Sequence, residues 1–271
     1  MRDLLNLTIN AAHAGAEVLT RRVNDMGEVR MKSTQVDVVT DADVASGVAV
    51  AQAILAKLPT ARFVIEEEEV HELAGAPRGT LSDEEVWVID PLDGTTSFLH
   101  GFPCYSVSVA LLRHGVPVAG AVHNVPADET IAAAADLGAT RDGAPVHCEG
   151  AASLTEAMLM SGFPYDRGAT LDRQLATLAA FMRVPIHGMR RDGSAAVDCT
   201  HVACGRADGF WEYNLQPWDT AAGVIILREA GAMVTDINGE PWSTDATGII
   251  AANPALHVQM LDVIRRIATD E

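Results

Sequence analysis

The sequence predicts a layered α/β protein with an antiparallel sheet in its N-terminal half and a mixed sheet in its C-terminal half. Three observations carry this. From about residue 105 to 134, short apolar runs lie close together and are joined by tight turns, which is the pattern of antiparallel strands. After about residue 150, short strand-like runs alternate with helix-length amphipathic segments, as in a layered α/β domain. Nearly half of the 271 residues are apolar, enough to bury a substantial core. There are no repeats and no low-complexity linker. The expected division is 1–145 and 146–271, with the halves closely packed and a site between them.

The elements follow in order. Residues Asp3–Val23 place Leu4, Leu5, Thr8, Ile9, Ala12, Ala16 and Leu19 on one helical face. His13, near that face, reads as ordinary packing. Asn24–Asp37 is polar and reads as a loop or hairpin, and the β-branched Val36–Thr40 as a short strand. A helix over Val44–Leu58 then starts at Asp41 or Asp43, for which Asp43 is a ready N-cap. Arg62–Ile65 is a brief strand running into Glu66–Glu69, and Leu73–Glu85 is a surface loop. The strands Tyr105–Leu112, Val116–His123 and Thr130–Ala134 come next, with turns at 113–115 and 142–143. The second half reads as strand Met158–Ser161, helix Leu171–Met182, strand Ile186–Arg190, helix Ser194–Cys204, strand Gly209–Tyr213 and helix Trp218–Ala230 behind Pro217. Strands at Gly231–Thr235 and Gly248–Ala251 and a helix at Leu256–Ile267 close it.

Bulk properties exclude several classes. The formal net charge is -18 with no basic block, which argues against nucleic acid or an anionic membrane as a partner. No apolar run approaches the ~20 residues of a membrane span. MRDLLNLTIN carries an acid at its third residue and a polar break after Leu7, which does not fit a signal peptide. Cys104, Cys148, Cys199 and Cys204 lack CxxC spacing and sit in apolar surroundings, so buried thiols in a reducing compartment are expected. Together these predict a cytoplasmic protein.

The chemistry concentrates in Val86–Pro103, VWVIDPLDGTTSFLHGFP. Val86–Ile89 has the form of a buried strand, which Pro91 is expected to end near Asp90. Asp90 and Asp93 then bracket a turn, Gly94 permits close backbone approach, and Thr95-Thr96 can open a helix. Open α/β sheets bind ligands at the C-terminal ends of their strands. Two carboxylates crowded there repel unless a proton or cation lies between them. The stretch carries no Lys or Arg, so a divalent cation is the natural neutraliser, and oxygen ligation suits Mg²⁺ or Mn²⁺. The amides after Asp93 suit an anion such as phosphate. The same residues also make a plain turn and helix cap, and the four acids Glu66–Glu69 a plain solvated face.

Four stretches break that tie. DPLDGTTSFLHGFP resembles the first signature of the inositol monophosphatase family of metal-dependent sugar-phosphate phosphatases. WEYNLQPWDTAAGVIILREA, Trp211–Ala230, is similar to its second, with Glu, then Trp-Asp, then Ala-Ala-Gly. KSTQVDVVTDAD, Lys32–Asp43, is similar to the family's mobile metal loop, and GSAA at 193–196 to its substrate-side turn. The pieces come in family order and span nearly the whole chain. Ile65 departs from the pattern, standing where the family has glycine before its Glu-Glu pair.

The resemblance implies a sugar phosphatase fold, an α-β-α-β-α sandwich, and hydrolysis of myo-inositol monophosphate with two to three Mg²⁺ per site. It implies that Glu66, Asp90 and the Leu92 carbonyl hold one ion, and that Asp90, Asp93 and Asp219 hold a second, with a weaker third on Glu66. Thr95, paired with Asp43, and Glu66 would handle the proton of the attacking water, and Asp93 would help protonate the leaving oxygen. Leu92, Asp93 and the amides of Gly94 and Thr95 would meet phosphate. Gly193, Ser194, Ala195, Glu212 and Asp219 would meet the polyol. Lys32 and Glu67 are accessory, and Arg190 or Arg191 faces either substrate or a dimer partner. A homodimer, lithium sensitivity and related substrates (histidinol phosphate, fructose 1,6-bisphosphate, 3′-phosphoadenosine 5′-phosphate) come with the same resemblance. A non-catalytic regulatory relative is the rival class, and loss of a bridging carboxylate would mark it.

Overall fold

The computed structural model describes residues 1–23, 25, 27–32 and 38–269. Part of the polar stretch before Thr40, including Val36 and Asp37 of the expected strand, lies outside them. On either side, β1 (Val29–Met31) and β2 (Val38–Thr40) pair antiparallel.

Helices α1 (Arg2–Arg22) and α2 (Asp41–Leu55) form the first layer. α1 buries Ala12, Ala16 and Leu19 of the expected face and adds Ala11 and Gly15 to it. The cap of α2 is Thr40, not Asp43. Asp43 is the third helical residue, and its carboxylate accepts from the Thr40 N–H at 2.9 Å in a capping box.

The second layer is a seven-stranded sheet in the order β3-β4-β5-β6-β7-β8-β9. Its strands are β3 (Phe63–Ile65), β4 (Val86–Asp93), β5 (Ser106–Arg113), β6 (Val116–Asn124), β7 (Glu129–Ala134), β8 (Ala139–Arg141) and β9 (Ala144–Val146). It is antiparallel apart from the parallel pair β3 and β4. A short helix, α3 (Glu69–Ala74), stands at the start of the expected surface loop and is closed by Gly75 in the left-handed region at φ 63°.

β4 corrects the expectation that Pro91 ends the strand. The strand runs on to Asp93 through a bulge: Asp90 faces Ser108 and Asp93 faces Ser106, so Pro91 and Leu92 together oppose Val107. Proline is tolerated there because a bulge leaves a residue outside the ladder. On the other side, β3 pairing stops at Ile65 and Ile89, so no neighbour needs the N–H that Pro91 lacks.

The third layer is α6 (Ala195–Ala203) and α7 (Pro217–Glu229). The fourth is a mixed five-stranded sheet in the order β11-β10-β12-β14-β13. It is built from β10 (Met158–Met160), β11 (Gly188–Arg190), β12 (Gly209–Tyr213), β13 (Met233–Thr235) and β14 (Gly248–Ala252). The fifth is α5 (Ala169–Arg183) with α8 (Pro254–Thr269). The short α4 (Thr95–His100) follows β4.

Both sheets are covered on both faces, which explains the unbroken apolar runs. Trp87 and Ile89 point into the core under α1 and α2, whereas Val86 and Val88 point into the core shared with α6 and α7. Phe210 and Ile249 of the smaller sheet enter that same shared core, while Trp211 and Ile250 face α5 and α8. The helical layer is therefore gripped from both sides. Its closest approach is at Gly120 of β6, where an added Cβ would lie 2.6 Å from Ile225 Cγ2 and 2.9 Å from the Ala222 backbone.

That contact gives a stability test. The backbone of α7 cannot yield as a flexible side chain would, so Gly120→Ala should destabilise by about 1–3 kcal/mol in urea titration despite alanine's better strand propensity. An unchanged midpoint would show that the layers are not in contact there.

Candidate active site

A cleft of about 620 Å³ opens where the C-terminal end of β4 meets the N-termini of α6 and α7. Lys32, Glu66, Asp90, Leu92, Asp93, Gly94, Thr95, Gly193, Ser194, Ala195, Glu212 and Asp219, all singled out in the sequence, line it. Asp43 and Glu67 do not, being buried behind the wall.

The bulge in β4 sets the first side of the cleft. It is pinned by the Ser46 hydroxyl, which donates to the Pro91 carbonyl at 2.7 Å, and by the Leu92 N–H, which donates to Asp90 Oδ1 at 3.0 Å. Gly94 caps α4 at φ 93°, and an added Cβ would sit 2.9 Å from the Cys104 carbonyl. Only glycine takes that position without strain. Thr95 then faces Asp43: its Oγ1 lies 3.0 Å from Asp43 Oδ1 and 3.1 Å from the Leu92 carbonyl. One hydroxyl proton serves these two acceptors. Burial lifts Asp43 to about 6, against the pull of the Thr40 and Thr95 donors.

Two further acids are held at helix starts. Asp93 Oδ2 accepts from the Ser194 hydroxyl at 2.6 Å and the Ala196 N–H at 2.7 Å, at the head of α6. Asp219, in the first turn of α7, accepts from the Gln216 N–H at 2.7 Å. Partial positive charge at a helix N-terminus favours a carboxylate. It does not prevail here. Burial, then the charges of Glu66, Asp93 and Asp219, drives Asp90 well above the usual carboxylate range. Asp93 is pushed up to about 6 by burial, and Asp219 well above its ordinary value by burial and then by the charge of Asp93.

Glu66 leaves β3 in register, its N–H donating to the Ile89 carbonyl at 3.1 Å. Ile65 therefore does not disturb the path: it is a buried strand residue facing Ile89. Lys32 Nζ lies 2.7 Å from Glu66 Oε1 and also pairs with Glu67. Burial pulls the ammonium down, but the two carboxylates outweigh it and its pKa is raised. Glu67 is still pushed up to about 7, because its burial exceeds what Lys32 gives back.

As the side chains stand, no group of three or more Asp, Glu, His or Cys among the described residues is arranged to hold an ion. Glu66 is occupied by Lys32, and an oxygen each of Asp90, Asp93 and Asp219 is turned to a backbone N–H. The donor chemistry nonetheless suits a hard divalent cation. The set is all oxygen and carries an excess of enclosed negative charge, and burial followed by the neighbouring charges drives Asp90, Asp93 and Asp219 toward protonation, the condition that a cation relieves.

On the far side, Glu212 of β12 is buried and raised to about 8 by burial and the charge of Asp93. Of the two arginines, Arg191 lines the cleft, whereas the exposed Arg190 donates to the Met189 carbonyl at 3.0 Å. The sequence reading missed Asp198 and the 162–166 loop, both in the cleft wall. Signals existed. Asp198 is four residues after Ser194 on one helix face, and the loop follows the C-terminal end of β10.

A model of the inositol monophosphatase family matches residues 1–269. A putative Nus factor SuhB of Neisseria meningitidis is 36% identical over 265 residues, 97% of this chain and 98% of that protein. An inositol-1-monophosphatase of Synechocystis is 36% identical over 247 residues, 91% of this chain and 83% of that protein. The structure of inositol monophosphatase from Anabaena superposes with a TM-score of 0.85 at 35% identity, covering 98% of this chain and 96% of that one. Fold and cleft define a layered α/β protein with a carboxylate-lined site of phosphatase type. The chain belongs to the inositol monophosphatase family.

Ser194 joins the two sides, since its hydroxyl donates to Asp93 and accepts from the Val197 N–H at 3.2 Å as the α6 cap. Ser194→Ala should cost about 1–3 kcal/mol in urea titration, the sum of a lost cap and a lost bond to a charged group. A loss below the error of the titration would show that the cap is not made.

Proposed function

We propose that the chain is a Mg²⁺-dependent phosphomonoesterase that releases phosphate from myo-inositol monophosphate. The observation that supports this most directly is the arrival of Glu66, Asp90, Asp93 and Asp219 from three separate segments at one cleft. Glu66, Asp90 and the Leu92 carbonyl would hold one ion and Asp90, Asp93 and Asp219 another, with a weaker third on Glu66; Mn²⁺ could replace Mg²⁺. Bound there, the ions would neutralise the phosphoryl oxygens and lower the pKa of a bound water.

The chain's own groups do the rest. The amides of Gly94 and Thr95, both in the cleft wall, would meet the phosphate. Thr95 Oγ1, with its proton directed to Asp43 or Leu92, is placed to accept from the attacking water while Asp43 takes the hydroxyl proton. An acid near 6 is well matched to that task close to neutral pH. Asp93 would help deliver a proton to the departing oxygen through a water that donates it, and Glu212 with the Gly193-Ser194-Ala195 turn would orient the polyol.

Histidinol phosphate, fructose 1,6-bisphosphate and 3′-phosphoadenosine 5′-phosphate are alternative substrates for the same machinery. The SuhB-named relatives raise a second role, in transcription, on their names alone; the charge of -18 argues against direct nucleic-acid binding. No helix among the described residues is long and apolar enough to cross a membrane, and all four cysteines are free. A cytoplasmic homodimer is the setting we propose.

Phosphate release measured across the substrate panel in Mg²⁺ should give the highest kcat/KM with inositol monophosphate. A higher value for histidinol phosphate would overturn the substrate assignment. Asp93→Asn should cut kcat at least about a hundredfold while the far-UV CD stays native; near-normal turnover would refute its role. Chelation should abolish turnover and added Mg²⁺ restore it, and Li⁺ should inhibit. Activity that survives chelation would contradict the metal chemistry.

A further inference from the structure

The first turn of α6 carries a carboxyl group that the scheme above does not use. Ser194 and Asp198 stand four residues apart on one helix face, and both line the cleft. Asp198 is 1% exposed, and its Oδ1 is buried with no hydrogen-bond partner. Its neighbours in the site are served differently: Asp93 has Ser194 and Ala196, Asp219 has Gln216, and Glu212 has the Gly162 amide. A buried carboxyl oxygen without a donor costs more than it returns to the fold. Such an atom in a cleft wall implies that the donor arrives with the ligand.

The surroundings say which ligand. Besides its own burial, Asp198 is influenced most by the charge of Glu212, so two acids share the leaving-group end of the cleft. Arg191 opposes them, and its guanidinium lies against Gly193, where an added Cβ would be 3.3 Å from Nη1. The substrate end is thus rich in acceptors. A leaving group bearing hydroxyl or ammonium hydrogens satisfies both acids. An ionised second phosphate brings no such hydrogens, and it is repelled by whichever of the two acids is ionised.

Resting on the phosphatase reading, we propose that Asp198 is a specificity-determining residue. Together with Glu212 it accepts from the hydroxyl or ammonium hydrogens of the leaving group, and it turns away esters that carry a second phosphate.

Steady-state kinetics in Mg²⁺ with Asp198→Ala and Asp198→Asn decide this. The esters are myo-inositol 1-phosphate, histidinol phosphate, fructose 1,6-bisphosphate and p-nitrophenyl phosphate, whose leaving group offers no donor. Asp198→Ala should raise KM about tenfold or more for an accepted donor-bearing ester while leaving kcat and the p-nitrophenyl phosphate parameters within about twofold. Both variants should gain kcat/KM on the bisphosphate relative to wild type. The hydroxyl and ammonium cases separate by which of the first two esters suffers. Equal losses on all four esters would reveal a structural role and overturn the proposal, and so would no change on any. If the wild type turns over none of them, the phosphatase reading fails first, and calorimetric titration with myo-inositol still decides Asp198. Binding weakened about tenfold in Asp198→Ala supports the proposal; equal affinity, or no binding by the wild type, overturns it.

Discussion

Everything in this molecule is arranged around the mutual repulsion of carboxyl groups brought into one enclosed cleft. Asp90, Asp93 and Asp219 come from a strand bulge and a helix start, and the charge of Glu66 disfavours ionisation of all three. Left alone, such a group would expand or take up protons. The fold opposes this with donors at the heads of helices. α2 serves Asp43, α6 serves Asp93 and α7 serves Asp219, each through backbone N–H groups that an N-terminus leaves unpaired. Lys32 serves Glu66 and Glu67. The compensation is incomplete, and under the proposed function the remaining excess of negative charge is what would draw cations to the cleft.

Two features of the layering make that crowding achievable. The helices of the middle layer are gripped between two sheets, so α6 and α7 cannot retreat from β4. The bulge at Asp90–Asp93 shifts the register of β4 by one residue, and pairing with β5 resumes at Asp93 and Ser106. Removing either would let the acids separate. Two glycines in the positive-φ region lie at the same junction: the backbones of Gly94 and Gly193 approach each other closely enough that a Cβ at Gly94 would be 3.2 Å from the Gly193 carbonyl.

Much of this was legible in the sequence, for identifiable reasons. Runs such as Val86–Ile89 and Gly209–Tyr213 are buried on both faces, so their apolar character is continuous, and Gly209–Tyr213 matches its strand at both ends. Helix α7 declared itself through Pro217 at its first position. The convergence of Glu66, Asp90, Asp93 and Asp219 followed from a family resemblance, because no local pattern tells acids of distant segments that they meet. What escaped has a physical cause as well. Pro91 inside a central strand contradicts the usual rule and is explained only by the bulge. Asp43 looks like a cap, and only the backbone angles transfer that role to Thr40. Asp198 reads as an ordinary first-turn acid until the cleft beside it is seen.

In the proposed function these acids bind divalent ions because their charges are forced together, with Asp90 shared between two ions. Titration with Mn²⁺ followed by electron paramagnetic resonance tests it most directly, since free and bound ions differ in signal and no turnover is needed. The account predicts two tightly bound ions per chain, the number that a bridging carboxylate serves, and loss of both in Asp90→Asn with the fold retained. Mn²⁺ that stays free at millimolar concentration, or an Asp90→Asn protein that binds like the wild type, would contradict it.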